Sequence, residues 1–104
     1  MINADKIDKA ESFEIVTVLV RKADYLELNK SGVPRPEQIA LALWHYLRLI
    51  DETKLIPPTN GPEIFNGGLT TFRCALPREL CDRIRALAGR FDRHIMEAVR
   101  LWLL

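Results

Sequence analysis

The apolar pattern of this chain occurs twice, and the two occurrences keep a constant separation of 56 positions, as between Ile39 and Ile95. A helical stripe and the alternating run before it share that separation. A repeat this short rarely buries its own apolar faces, so two copies predict two halves of one core. The matched positions are Val16, Val18, Val20, Ile39, Ala42, Leu43, Tyr46 and Leu47 in the first copy and Phe72, Cys74, Leu76, Ile95, Ala98, Val99, Trp102 and Leu103 in the second.

Each copy has the pattern of a strand followed by two helices. The β-branched run 13–20 predicts a strand, and the alternation over 70–76 predicts its counterpart. Pro36 suits the first position of a helix, Pro77 suits another, and Asp92 suits an N-cap. The predicted helices are 23–31, 36–52, 77–89 and a last one after a turn at 91–92.

The whole chain of 104 residues is long enough for one domain. Residues 53–68 contain three Pro and three Gly, which is typical of a linker. We therefore divide domain 1–104 into a polar arm, a first repeat, a linker and a second repeat. These are 1–12, 13–52, 53–68 and 69–104.

Several classes of protein are disfavoured by what the sequence lacks. It has no apolar run of membrane-spanning length and no leader-like N-terminus, so we expect a cytoplasmic protein with no membrane partner. It has no phosphate-loop or nucleophile motif, so we expect no enzyme and no cofactor. Cys74 and Cys81 are expected to be buried thiols, and His45 a surface or half-buried residue, with no metal site.

The charge is distributed unevenly between the copies. Residues 69–104 carry seven arginines against four acidic residues, whereas residues 1–68 carry eight basic and ten acidic residues. Arginine suits phosphate and base-edge recognition because its planar fork bonds two acceptors at once. An arginine-rich helix is also commonly just a solvated face, so the asymmetry alone does not decide between these interpretations.

The second copy resembles the ribbon-helix-helix (Arc/MetJ/CopG) superfamily. The resemblance rests on LPREL at 76–80, the apolar steps Ile84 and Leu87, and MEAVRLWL at 96–103. The tandem arrangement looks like the single-chain, TraY-like accessory proteins of conjugative DNA transfer. It implies a mostly α fold in which two strands form a short antiparallel ribbon within one intramolecular pseudo-dimer. It also implies a bacterial or mobile-element protein that binds duplex DNA, as a transcriptional repressor or a DNA-transfer accessory factor.

In such a fold the ribbon enters the major groove and its outward face reads bases. Period-2 alternation turns inward Val16, Val18 and Val20 of the first strand and Phe72, Cys74 and Leu76 of the second. Arg73 is the strongest candidate, able to bond guanine bidentately, whereas Ile15 can only contact thymine methyls. The alternative is a strand covered on both faces. The candidate base-reading residues are Thr17, Leu19, Arg21, Thr71, Arg73 and Ala75.

The beginnings of the second helices are candidate phosphate contacts, because their free backbone N–H groups favour anions. Arg35 and Gln38 lie there in the first copy, and Arg93 and His94 in the second. His94 could equally be an ordinary helix-surface residue.

Leu41 and Trp44 form an apolar outer face where the second copy has Glu97 and Arg100. We expect linker residues Ile56, Ile64 and Phe65 to cover that face. The alternative is an exposed face that receives a protein partner or a second copy on an adjacent DNA site.

Three rival interpretations remain open. The chain could be a protein-interaction module that keeps the fold without reading DNA, or an antitoxin. Alternatively, residues 70–104 alone could be the DNA module, pairing between chains.

Overall fold

Two strands and four helices make up the part of the chain that the structure, a computed structural model, describes, namely residues 12–56 and 68–104. The expected mostly helical fold with a two-stranded antiparallel sheet is confirmed. None of these four helices is long and apolar enough to cross a bilayer. In chain order the elements are β1 (Phe13–Arg21), α1 (Lys22–Lys30), α2 (Arg35–Thr53), β2 (Leu69–Pro77), α3 (Arg78–Arg85) and α4 (Phe91–Trp102).

The two strands pair along their whole length, with Thr17 opposite Arg73 at the centre. One further backbone hydrogen bond continues the pairing at each end. The Lys22 N–H donates to the Gly68 carbonyl at 3.1 Å, and the Arg78 N–H donates to the Ser12 carbonyl at 2.9 Å. The ribbon is therefore held at both ends, where α1 and α3 begin.

One face of the ribbon is buried. Val16, Val18, Val20, Cys74 and Leu76 have almost no exposed surface, and Phe72 is half-buried against the core. This confirms the inward set predicted from the alternation. The opposite face is exposed at Ile15, Thr17, Thr71 and Arg73, so it is not covered as the two-sided alternative required.

The core joins the two halves of the chain. β1 packs against α4 and β2 packs against α2, while α2 and α4 pack against each other. Fully buried residues from all four of these elements, such as Val18, Leu43, Leu76 and Ile95, belong to one cluster. Each strand thus depends on a helix from the other half for its apolar contacts.

The predicted starts of all four helices were wrong by one or two residues, and α1 begins at Lys22 rather than at 23. α4 begins at Phe91 after Arg90 as N-cap, so Asp92 lies in the first turn, where its charge favours the helix dipole. Pro77 ends β2 and acts as the N-cap of α3. Pro36 is the second residue of α2, preceded by Pro34 as the N-cap. Proline suits these places because the first turn needs no N–H donor.

The turn between α3 and α4 also differs from the prediction. α3 ends at Arg85 rather than Gly89, and the turn precedes Phe91 instead of including it. Gly89 has φ of 105°, a backbone conformation that glycine adopts without strain. Residues 1–11 of the predicted arm and 57–67 of the predicted linker lie outside the described residues.

Candidate nucleic-acid interface

The outward face of the ribbon is built from five cross-strand pairs. The register places Arg21 opposite Leu69, Leu19 opposite Thr71, Thr17 opposite Arg73, Ile15 opposite Ala75, and Phe13 opposite Pro77. The candidate base-reading residues therefore share one face. Thr17, Thr71 and Arg73 are exposed, whereas Leu19, Arg21 and Ala75 are half-buried.

Arg73 occupies the centre of this face. Its side chain is exposed, and its guanidinium takes part in no hydrogen bond or ion pair with residues 12–56 or 68–104. Its neighbour across the ribbon is the short hydroxyl side chain of Thr17. Because neither group is engaged within the described structure, both can bond an external acceptor without breaking an internal contact.

Arg21, in contrast, is held by the protein. Its Nε and Nη2 atoms donate to the two carboxylate oxygens of Asp24 at 2.8 and 3.0 Å, and Asp24 is buried. A base contact by Arg21 would leave that carboxylate buried without its partner, which is costly. The structure therefore makes Arg21 a link between β1 and α1, in disagreement with its prediction as a base-reading residue.

The electrostatics of the ribbon favour anions. Lys22 and Arg78 are exposed, one at each end of the ribbon. The nearby carboxylate of Glu14 accepts hydrogen bonds from Arg85 Nη1 and Nη2 at 2.7 and 2.5 Å. These bonds lower the pKa of Glu14 and neutralise its charge locally. Glu14 therefore competes little with external anions for the cations near this face.

Two of the predicted phosphate contacts, Gln38 and His94, are wrong because both side chains are buried. Gln38 Nε2 donates to the carbonyls of Leu28 and Val33, both at 2.8 Å. His94 Nε2 lies 2.7 Å from the Ala88 carbonyl, and its Nδ1 lies 2.7 Å from the Tyr46 hydroxyl. Each side chain thus donates to carbonyls of the preceding helix or turn instead of facing solvent.

Arg35 and Arg93, the other two candidates, are half-buried near the starts of α2 and α4. Arg35 Nη1 donates to the Tyr25 hydroxyl at 2.5 Å, and its guanidinium lies 5.1 Å from the ring centres of Tyr25 and Phe72. Arg93 is also engaged in an interaction within the protein. Arg35 therefore joins α1, α2 and β2, and phosphate binding would have to compete with those contacts.

Leu41 and Trp44 are exposed on α2, and Ile56 does not provide the cover predicted for them. These side chains are 46% and 39% exposed, and they border a groove of about 870 Å³ between α2 and the ends of α3 and α4. Arg83 lies over the Trp44 ring at 5.3 Å, and Trp102 closes the far side beside His45. Ile56 lines a different groove, and Ile64 and Phe65 lie outside the described residues.

Cys74 and Cys81 are buried and unpaired, as expected, and burial raises the pKa of each thiol to about 11. His45 is half-buried, as expected, with its ring 5.8 Å from that of Trp102. Over the described ranges, no three residues of the metal-ligating types cluster together.

Comparison with protein-family models, with curated proteins and with solved structures found no match to this chain.

Proposed function

We propose that this chain is a single-chain pseudo-dimer of two ribbon-helix-helix repeats that binds duplex DNA. The ribbon would enter the major groove and place Arg73 and Thr17 against base edges. The biological role would be transcriptional repression or support of DNA processing during transfer.

The pairing register supports the pseudo-dimer. In an antiparallel ribbon with a two-fold axis, the central residue of one strand pairs with its equivalent in the other. Thr17 and Arg73 are separated by the repeat distance of 56 positions, and they pair at the centre. The end bonds follow the same rule, since the repeat relates Lys22 to Arg78 and Ser12 to Gly68.

The observation that carries the DNA proposal is the exposed outward face with an unengaged arginine at its centre. A two-stranded ribbon fits the width of the major groove, where each base pair shows a distinct set of donors and acceptors. Arg73 has the planar fork that matches guanine O6 and N7. Lys22 and Arg78 would lie near the phosphates at either end of the ribbon.

The first test is fluorescence anisotropy with mixed duplex fragments at low and raised salt. Phosphate neutralisation predicts that the logarithm of the binding constant falls linearly with the logarithm of the salt concentration. Absence of binding at low salt would refute the proposal.

The second test separates Arg73 from other arginines. On a preferred site, Arg73→Ala should weaken binding by about 1–3 kcal/mol and relax the preference at one base pair. Arg48→Ala is the matched control, because Arg48 is an exposed α2 arginine paired with Glu52. Equal losses in the two variants, or unchanged specificity in Arg73→Ala, would contradict the assignment of Arg73.

A protein-interaction module is the second candidate, favoured by the groove beside Leu41 and Trp44. It predicts that Trp44→Ala abolishes association with a second copy or another protein while leaving DNA binding unchanged. Sedimentation velocity of the free protein and of its complex with tandem DNA sites measures this. If the unmodified protein and Trp44→Ala associate to the same extent, the groove is excluded as a docking site.

A further inference from the structure

The two ends of the outward ribbon face differ chemically. Beyond the central Thr17–Arg73 pair, one end presents Ile15 opposite Ala75 and then Phe13 opposite Pro77, and none of these side chains has a donor or acceptor. The other end presents Leu19 opposite the hydroxyl of Thr71, and then Arg21 opposite Leu69. A DNA site that complements this ribbon cannot read the same in both directions.

Ile15 is the most exposed side chain at the apolar end. It is 58% exposed, against 45% for Phe13 at the first position of the strand, and its neighbour Ala75 is short and half-buried. In the major groove the thymine C5-methyl is the apolar group that a base presents to such a side chain. Cytosine offers an amino donor there instead, which isoleucine would desolvate without replacing its hydrogen bond.

The charge on the ribbon supports DNA as the occupant of this face. Neither Lys22 nor Arg73 forms an ion pair within the described ranges, and Glu14 is already held by Arg85. An apolar protein segment would have to bury the charge of Arg73, whereas a duplex supplies phosphates and guanine acceptors for it.

We propose that the ribbon recognises a non-palindromic duplex, with a guanine facing Arg73 and a thymine whose methyl group contacts Ile15. This inference rests on the DNA binding proposed above. Because Ile15 and Arg73 lie on different strands at successive outward pairs, the two bases lie within a few base pairs of each other. The protein then binds its site in one orientation.

The experiment begins with selection of preferred sites from randomised duplexes, followed by replacement of each thymine with deoxyuridine. Loss of one contacted methyl should weaken binding about fourfold. In Ile15→Ala, whose side chain is shorter, the same replacement should have a much smaller effect. Ile15→Thr keeps the β-branched shape that favours a strand but lacks the ethyl arm of isoleucine, so it should also show a reduced effect.

Leu26→Ala is the matched control, since Leu26 is 57% exposed on α1 and outside the ribbon. It should keep the full deoxyuridine effect. A palindromic selected site, no deoxyuridine effect in the unmodified protein, or an effect that persists undiminished in both Ile15 variants would overturn this inference alone. Absence of salt-dependent DNA binding would overturn the proposed function with it.

Discussion

The buried contact between Tyr46 and His94 gives a quantitative test of how α2 and α4 are joined. A carbonyl can only accept, so His94 Nε2 donates to Ala88, and in the neutral ring the Tyr46 hydroxyl donates to Nδ1. Tyr46 and His94 are almost completely buried, so water cannot replace the hydroxyl. Tyr46→Phe therefore leaves Nδ1 without a partner.

An unsatisfied buried acceptor costs about 1–3 kcal/mol, more than the net value of an ordinary hydrogen bond. We therefore expect Tyr46→Phe to lower the free energy of unfolding by about 2 kcal/mol. For a domain of this size, that lowers Tm by roughly 10 °C.

Urea and thermal unfolding followed by circular dichroism measure the loss. Tyr25→Phe is the control, because the Tyr25 hydroxyl also has one partner, Arg35, but is only half-buried. It should cost less than about 1 kcal/mol, since water can replace it. Imidazole ¹⁵N shifts report the protonated nitrogen. Equal losses in the two variants, or a neutral His94 protonated at Nδ1, would refute the reasoning.

Two further predictions follow from the buried thiols and the shared core. Burial raises the folded-state pKa values of Cys74 and Cys81 to about 11 from 9.0. The contribution of the two neutral thiols to the free energy of unfolding is therefore fully present below pH 9 and is lost as pH rises towards 11. Urea unfolding should show that the free energy of unfolding falls above pH 9 by up to about 1.4 kcal/mol per pH unit for each thiol. In the double variant Cys74→Ala/Cys81→Ala the fall should be less steep. Fragments 1–60 and 61–104 should each lack the circular dichroism signal of helices and should regain it when they are mixed. The reason is that the strand of each fragment packs on a helix of the other fragment. Fragments that fold independently as monomers would contradict this.

The sequence predicted the strands, the buried stripe and the outward face because each depends on local periodicity. Val18 and Leu76 turn inward because alternate residues of a strand face opposite sides, whatever the neighbouring elements are. The antiparallel pairing required more than periodicity, and it came from the family resemblance. Here the repeat distance contained a further signal, because it makes Thr17 and Arg73 equivalent.

The phosphate contacts could not be predicted in the same way. Gln38 and His94 are polar residues near helix starts, which usually face solvent, yet both turn inward to satisfy carbonyls of the preceding helix or turn. A signal was present: they are separated by 56 positions, and each immediately precedes an isoleucine of the buried stripe. The open face at Trp44 had no such signal, because cover by a linker depends on tertiary structure.

The central pair of the ribbon bears on whether residues 70–104 could act alone. If two copies of that segment paired with the same register, Arg73 of one would face Arg73 of the other, and like charges directly opposite each other destabilise a ribbon. In this chain Thr17 faces Arg73 instead. Pairing of two different strands of one chain therefore allows a single arginine at the centre, and with it two unlike ends. That asymmetry supports an intramolecular pairing over a dimer between chains, and it is also what would give a bound site its direction.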